Sequence, residues 1–380
     1  MINRQLFGPV RNGFALALFC LAPLVQAAGT DALAALGQAL FHDPNLSLER
    51  TQSCASCHSP QRAFTDGRHD LAGGAVSLGA DGTSAGRRNA PTLTYAALNP
   101  SFGQDAEGFV GGQFYDGRAT TLLEQVTGPL HDAAEMAMPD AAAVARRLRE
   151  RADYVSALGS LFPTLDPAQD EALYRSALLA IVAFERSQSF SSFDSKYDRF
   201  LAGEYQMTAE EAIGRELFFS DLANCRTCHL KDAERRAAGE TFSSYRYYNI
   251  GVPANAALAA EQADLGLGEN PQAGDDPQQH GRFRVPTLRN VAVTAPYMHN
   301  GVFQDLETAV RFYGRYIVAN DFSETNPETS EAWGAPEVAE NIELERLAGG
   351  QPIGPIRVRQ LTAFLRTLTD RRYEHLLDPE

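Results

Sequence analysis

The sequence Cys-x-x-Cys-His occurs twice in this chain, at residues 54–58 and 225–229, called here the first and second attachment motifs. Two thiols at this spacing add to the two vinyl groups of one porphyrin, and the adjacent histidine then binds the iron. Two copies therefore predict two covalently bound haems of the c type. The residues predicted to hold them are Cys54, Cys57 and His58 for the first haem and Cys225, Cys228 and His229 for the second.

The cysteine count favours this interpretation over other uses of a Cys-x-x-Cys pair. The chain has five cysteines, and the one outside the motifs, Cys20, lies in a segment that we expect to be removed. A redox dithiol, a structural disulfide and a zinc site are the alternatives. Two pairs, each followed directly by histidine, make these alternatives weaker than haem attachment.

Residues 1–27 have the pattern of a cleavable secretory signal. Arg4 and Arg11 form a basic start, residues 14–24 form an apolar core, and residues 25–27 form a small-x-small cleavage site. A membrane anchor is the alternative, but the apolar run is short for a bilayer. Since bacterial c-type haem attachment takes place outside the cytoplasmic membrane, we expect a periplasmic protein that does not span the membrane.

Charge and length limit the remaining classes. The formal net charge of −15 argues against nucleic acid as a partner. It would suit a basic protein partner, although acidic balance also serves solubility alone. A chain of 380 residues is long enough for two domains.

Three sequence elements recur in the same order around the two attachment motifs. A Gly-containing Leu/Phe helix pattern precedes each motif, and a Pro-Thr-Leu turn and a glycine turn follow it. Three matches in one order predict a duplicated domain. The matched segments are 36–41 with 213–218, 90–93 with 285–288, and 114–117 with 297–301.

The periodicity indicates helices joined by long loops. Apolar residues at three- and four-residue spacing predict helices over 141–157, 171–184 and 356–369, and strand patterns are scarce. The loops 66–89 and 265–281 are rich in glycine or proline, and their length suggests that they wrap a cofactor.

The expected domains follow from this pattern. We place an N-terminal domain at residues 28–200 and a C-terminal domain at 205–345. Residues 346–380 are expected to contain a C-terminal helix that packs back on the N-terminal domain.

Several of these motifs make the chain resemble bacterial di-haem cytochrome c peroxidases, and within them the MauG-like branch. The resemblance runs from about Gly37 to the C-terminus. It implies an all-α fold of two cytochrome c-like domains, and reduction of hydrogen peroxide at one haem with electrons relayed through the other. The segments that carry it, beside the attachment motifs, are 89–92, 114–119, 128–129 with 135–136, 285–290 and 294–301.

The resemblance implies an open iron at the first haem, whose proximal ligand is His58. In the peroxidase branch a histidine in the following loop caps the resting iron, and the matching segment here, 76–80, ends in Ala80. His69 is the other histidine of this loop, so a shifted alignment with His69 as ligand is the alternative.

The resemblance also implies catalytic residues at ten-residue steps. Glu135 matches the family carboxylate that moves protons between the peroxide oxygens, and Gln125 matches a nearby glutamine. Tyr115 stands where the family commonly has a tryptophan that relays electrons between the haems, while the only tryptophan, Trp333, lies elsewhere.

At the second haem the resemblance implies His229 and Tyr313 as the two iron ligands. The peroxidase branch uses methionine at the position of Tyr313, whereas the MauG-like branch uses tyrosine. Tyrosinate makes an iron harder to reduce than methionine does. Met298 is the competing ligand, and Tyr313 as a core aromatic is the remaining alternative.

A calcium ion is implied at the domain interface, held by an asparagine side chain and two backbone carbonyls. Asn89, Thr294 and Pro296 match these ligands, and oxygen-only ligands suit a hard cation. His299 matches a family position whose role is left unassigned.

Three functions are compatible with these features. The first is a periplasmic peroxidase that takes electrons from a small cytochrome or another redox protein. The second is a MauG-like enzyme that oxidises side chains of a partner protein; Ala80 and Tyr313 favour it, while Ala223 replaces a tryptophan by which MauG reaches its substrate. The third, an electron carrier alone, is disfavoured by Glu135 and the missing histidine.

Overall fold

A computed structural model describes residues 22–68, 72–231, 238–258, 262–317 and 319–377. Over these residues the chain is helix-rich, as predicted, and its named strands form two-stranded antiparallel sheets, which a purely α fold would lack. The helices are α1 (Ala22–Phe41), α2 (Cys54–Cys57), α3 (Leu122–His131), α4 (Ala141–Arg149), α5 (Ala152–Leu161), α6 (Asp170–Glu185), α7 (Lys196–Leu201), α8 (Ala209–Phe218), α9 (Arg226–His229), α10 (Leu306–Phe312), α11 (Asp321–Glu324), α12 (Leu344–Leu347) and α13 (Pro355–Arg366). The strand pairs are β1 (Gly103–Asp105) with β2 (Gly108–Val110), β3 (Tyr247–Tyr248) with β4 (Phe283–Arg284), and β5 (Thr325–Asn326) with β6 (Glu331–Ala332).

The predicted signal segment lies mostly outside the described residues. Residues 22–27 belong to helix α1, and residues 1–21 are not described. Within the described part of the chain, no helix has both the length and the apolar character needed to cross a membrane.

Two helix pairs form the centre of the fold, and each pair crosses at a glycine. Helix α1 packs on α6, where a side chain at Gly37 would overlap the backbone carbonyl of Ala180. Helix α8 packs on α13, where a side chain at Gly214 would overlap the carbonyl of Gln360. Gly37 and Gly214 occupy the same place in the recurring Leu/Phe pattern. The recurring sequence element therefore forms a close helix crossing in each half.

The buried apolar residues form two clusters that divide the chain. The first cluster runs from Leu36 to Phe190 and the second from Tyr197 to Leu368. We call residues 22–195 the first half and residues 196–377 the second half.

The C-terminal helix differs from its predicted packing. Helix α13 buries Val358, Leu361 and Phe364 in the second cluster, against α8 and α10, because these residues share one apolar face. The residues after α13 reach the first half, where the Asp370 carboxylate accepts a hydrogen bond of 2.6 Å from the Tyr95 hydroxyl.

The predicted helix over 141–157 is interrupted. Arg151 has an extended backbone, with φ −112° and ψ 94°, so that α4 ends before it and α5 begins after it. The helices predicted over 171–184 and 356–369 are observed as α6 and α13, each starting one residue earlier than expected.

The glycine turns that follow the two Pro-Thr-Leu segments have the same backbone pairing. The N–H of Gln113 donates to the carbonyl of Ala119 at 2.8 Å, and the N–H of Tyr297 donates to that of Phe303 at 2.7 Å. Helix α3 follows the first turn and α10 follows the second. This arrangement leaves the two attachment motifs in matched surroundings, one in each half.

Candidate active site

The first attachment motif forms one short helical turn. Helix α2 contains Cys54 and Cys57, and its N-terminus is held by a reciprocal capping box between Ser53 and Ser56. The ring Nδ1 of His58, which follows directly, lies 3.0 Å from the carbonyl oxygen of Phe64. Burial lowers the pKa of His58, so the ring is neutral, and an Nδ1–H donor leaves Nε2 as the atom able to bind iron.

The second attachment motif repeats this geometry. Cys225 caps helix α9, and the Nδ1 of His229 lies 3.3 Å from the carbonyl oxygen of Phe242. Burial lowers the pKa of His229 to about 4, so it too is neutral at physiological pH.

The thiols fit haem attachment better than redox exchange. Cys54, Cys57, Cys225 and Cys228 are free rather than disulfide-bonded. Burial raises the pKa of Cys54 and of Cys225 to about 12, which opposes the thiolate that a redox dithiol or a zinc site requires. Paired free thiols on one turn, next to a neutral and oriented histidine, are the groups that a covalent haem would need.

Ala80 packs against the segment that carries Glu135. Its N–H donates to the Glu135 carbonyl at 2.7 Å, and its own carbonyl accepts from the Thr51 hydroxyl at 2.6 Å. Ala80 is buried. It stands at the position where the peroxidase branch has its capping histidine, and its hydrogen bond places this position beside the backbone of Glu135. His69, the alternative ligand, falls outside the described residues.

The Glu135 side chain is held in a partly buried turn after α3. Burial and, to a smaller extent, the charge of Asp132 raise the pKa of Glu135, while the charge of Arg118 lowers it, so that the pKa is about 7. Burial also raises the pKa of the Cys54 thiol, and the charges of Glu185 and Glu135 add to that shift. Glu135 therefore lies within electrostatic reach of the first attachment motif, with a pKa suited to proton transfer near neutral pH.

Gln125 and Tyr115 are the other two predicted catalytic residues, and both are partly buried. Gln125 lies on α3, the helix that leads into the Glu135 turn. Tyr115 lies where the halves meet, because its carbonyl accepts a hydrogen bond of 2.8 Å from the backbone N–H of Arg284 on β4. Burial raises the pKa of the Tyr115 phenol to about 12, so this hydroxyl keeps its proton in the resting protein.

Tyr313 lies close to the second attachment motif. It directly follows α10 as its C-cap, and burial raises its pKa, with smaller contributions from the Cys228 and Cys225 thiols. The competing candidate, Met298, packs at the edge of the second hydrophobic cluster. Trp333 is buried in that cluster beside Phe303 and Phe312, away from the contact of Tyr115 with β4.

Two of the three predicted calcium ligands are in direct contact. The Asn89 side-chain amide donates to the Pro296 carbonyl at 2.7 Å, and both residues are buried. Thr294 lies two residues before Pro296, and its hydroxyl donates to the carbonyl of Val291 at 3.2 Å. Turning the Asn89 amide would bring two oxygens together, an arrangement that a cation would stabilise. The donor set therefore fits a hard cation.

His299 lies at a charged contact between the halves. Its carbonyl accepts from the Asn89 N–H at 2.7 Å, and its Nε2 lies 3.0 Å from the Glu337 carboxylate. Nearby, Arg88 forms ion pairs of 2.5 Å with both Asp116 and Asp264. Sequence patterns alone did not indicate this network, since its members are far apart in the chain.

Glu185 is a second residue that the sequence did not indicate. It ends α6 and is only 6% exposed, and one of its carboxylate oxygens has no hydrogen-bond partner among the described residues. Burial raises its pKa to about 8, so it is largely protonated at neutral pH. Nothing in its sequence context distinguishes it from a surface glutamate at a helix end.

Comparison with known proteins shows the family to which the chain belongs. The family model for di-haem cytochrome c peroxidase matches residues 31–206. The chain is 50% identical to the methylamine utilization protein MauG of Paracoccus denitrificans, over 96% of this chain and 98% of that protein. It is 30% identical to the cytochrome c551 peroxidase of Pseudomonas aeruginosa, over 83% of this chain and 79% of that protein.

A solved structure shares the fold. The diheme peroxidase BthA from Burkholderia thailandensis superimposes with a TM-score of 0.75 at 34% identity, covering 90% of this chain and 86% of that one. Membership of such a family implies haem cofactors. This chain belongs to the di-haem cytochrome c peroxidase family and is a peroxide-dependent oxidoreductase.

Proposed function

We propose that this enzyme is exported to the periplasm and reduces hydrogen peroxide at the haem site of His58, with electrons relayed through the haem site of His229 and Tyr313. The observation that carries this proposal is the position of Glu135. Its backbone carbonyl accepts the N–H of Ala80, and its carboxyl group, with a pKa raised to about 7, lies within electrostatic reach of the first attachment motif.

The proposal includes the predicted organisation of the chain. Two cytochrome c-like domains, near residues 28–200 and 205–345, derive from one duplicated unit and hold one covalent haem c each. The matched helix crossings, glycine turns and histidine hydrogen bonds of the two halves support the duplication. Residues 355–368 join the second domain, since α13 packs there. A calcium ion at Asn89, Thr294 and Pro296 would fix the domains to each other.

The roles of the side chains follow from their chemistry. A bound haem supplies the redox-active iron at which the peroxide is reduced. Glu135 takes a proton from the oxygen nearer the iron and returns it to the leaving oxygen, while the Gln125 amide orients the peroxide. Reduction to two water molecules consumes two electrons and two protons. Tyr115 relays electrons between the sites. Its phenol loses a proton when it is oxidised and takes one back when it is reduced.

A MauG-like function is the second candidate. It is supported by the 50% identity to MauG and by Tyr313 near the second attachment motif. In this case side chains of a partner protein supply the two electrons in place of a small cytochrome, and the two protons that these side chains release balance the two that peroxide reduction consumes. Ala223, where MauG has a tryptophan, argues for a partner different from that of MauG.

The first experiment is a spectrum of the resting ferric protein. The proposal predicts one high-spin and one low-spin haem without prior reduction, because Ala80 leaves the first iron open while Tyr313 closes the second. Two low-spin haems at rest would refute the open site.

The second experiment separates the two candidate functions. One equivalent of hydrogen peroxide is added to the ferric protein, alone and with a reduced small cytochrome c. Rapid turnover only with the cytochrome supports the peroxidase function. A long-lived oxidised protein without a donor supports the MauG-like function. If peroxide is not consumed in either mixture, both functions are excluded.

A further inference from the structure

The carbonyls that orient the two proximal histidines belong to phenylalanines with an unusual backbone. Phe64 has φ 55° and Phe242 has φ 56°, in the left-handed region that few residues other than glycine adopt. Both side chains are buried, with 2% and 0% exposure. A conformation of this kind persists only where the surrounding structure holds it.

A threonine hydroxyl holds the peptide directly before each phenylalanine. Thr92 Oγ1 donates to the carbonyl of Ala63 at 2.5 Å, and Thr287 Oγ1 donates to the carbonyl of Thr241 at 2.6 Å. These threonines belong to the two Pro-Thr-Leu segments, 29 and 46 residues after the carbonyls that they bind.

Each threonine hydroxyl is itself fixed by a second hydrogen bond. Thr92 Oγ1 accepts from the N–H of Thr94 at 3.0 Å, and Thr287 Oγ1 accepts from the N–H of Arg289 at 3.1 Å. In both halves, therefore, the threonine hydroxyl accepts from the backbone N–H of the residue two positions later. The same donor, the same acceptor and the same left-handed phenylalanine occur independently at both sites.

We propose that Thr92 and Thr287 are positioning residues for the proximal histidines, each acting through the loop peptide that it holds. By fixing the peptide before the phenylalanine, the hydroxyl sets the direction of the carbonyl that accepts the Nδ1–H of His58 or His229. That hydrogen bond makes Nε2 a stronger electron donor and favours ferric iron. The inference rests on the proposed haem positions, but it is independent of peroxide as the substrate.

Removing either hydroxyl should shift the potential of its own haem only. Thr92→Val or Thr92→Ala should raise the reduction potential of the haem at His58, and Thr287→Val or Thr287→Ala that of the haem at His229. We expect about a tenfold change in the ferric-to-ferrous ratio at a fixed potential, which is about 59 mV for one electron. The alanine variants avoid placing a methyl group against the carbonyl.

The experiment is a spectroelectrochemical titration of the fully loaded protein, with haem content measured for every variant. The high-spin and low-spin bands report the two haems separately. Thr92→Ser and Thr287→Ser keep the hydroxyl and should retain the original potentials. Thr127→Val is the control, since the Thr127 hydroxyl donates to the Glu124 carbonyl on α3, outside both loops that bind the histidines, and should leave both potentials unchanged.

The possible outcomes are distinct. A shift confined to the matching haem and absent in the serine variant supports the proposal. No shift, an equal shift of both haems, or a serine variant that behaves like valine would overturn it. If the wild-type protein fails to consume peroxide while these shifts occur, the proposed function fails and the positioning role stands.

Discussion

Replacing Glu135 by glutamine is the most direct test of the proton-transfer step. The carboxylate form is the one that can accept a proton from peroxide, so the rate of the first reaction should follow the ionised fraction of Glu135. Glutamine has a similar shape but cannot carry the proton. We expect Glu135→Gln to slow the reaction with peroxide by about a hundredfold or more and to remove its dependence on pH.

The position of the pH profile follows from the surroundings of Glu135. With a pKa raised from 4.5 to about 7, the carboxyl is ionised to about one tenth at pH 6 and about nine tenths at pH 8. The rate should therefore rise about tenfold over this range. A carboxyl with the ordinary pKa of 4.5 would give a flat profile there.

Two neighbouring charges predict opposite movements of that profile. The charge of Asp132 raises the pKa of Glu135, so Asp132→Asn should move the rise to lower pH. Arg118 lowers the pKa, so Arg118→Gln should move the rise to higher pH. Asparagine can still accept the hydrogen bond that Asp132 receives from the N–H of Ala134.

The assay is stopped-flow mixing of the ferric protein with peroxide between about pH 5.5 and pH 8.5, a range that brackets the expected pKa. Asp140→Asn is a matched control, because Asp140 also caps a backbone N–H but is not among the charges that act on Glu135. A flat profile for the unmodified protein, or an unchanged rate for Glu135→Gln, would remove Glu135 from the mechanism. If Asp140→Asn also moved the pH profile of the rate, overall charge rather than Asp132 would set that profile.

Three further predictions concern the second haem, the helix crossings and a buried acid. Tyr313→Met should change the low-spin spectrum and raise the potential of the second haem, because thioether sulfur favours reduced iron; an unchanged spectrum and potential would show that Tyr313 is not a ligand. Gly214→Ala should lower the free energy of unfolding by about 1 to 3 kcal/mol, since the new methyl group meets the Gln360 carbonyl, whereas Gly159→Ala on α5, with no atom within 4 Å, should be neutral or stabilising in denaturant titrations. Burial of neutral Glu185 favours folding below its ordinary pKa of 4.5, and this contribution is lost as pH rises towards the folded pKa of about 8. Stability should fall by up to about 1.4 kcal/mol per pH unit in that window, and Glu185→Gln should remove the slope; an identical slope in the variant would refute the assignment.

The features that the sequence predicted well are those contained in short segments. Cys54, Cys57 and His58 lie within five consecutive residues, so one helical turn is enough to bring them together. The long helix α6 was predicted almost to its ends, because the periodicity of one apolar face is a local property. The family was also predicted from such segments, and the comparisons confirm it.

Predictions that depended on packing were less accurate. The sequence showed that 356–369 is helical, but α13 packs on the second half because α8 offers Gly214 at the crossing. The interruption at Arg151 was missed because alanine, leucine and arginine suit a helix on both sides of it.

The sequence by itself determined the groups that the chain can offer: two thiol pairs, each followed directly by a histidine, and alanine where the peroxidase branch has a capping histidine. Only the tertiary structure decided how these groups are tuned. The pKa of Glu135 depends on burial and on Asp132 and Arg118, and the orientation of His229 depends on a carbonyl 13 residues away. Proton affinity and ligand direction are set by the groups that displace water around a side chain, and folding brings those groups from distant parts of the chain.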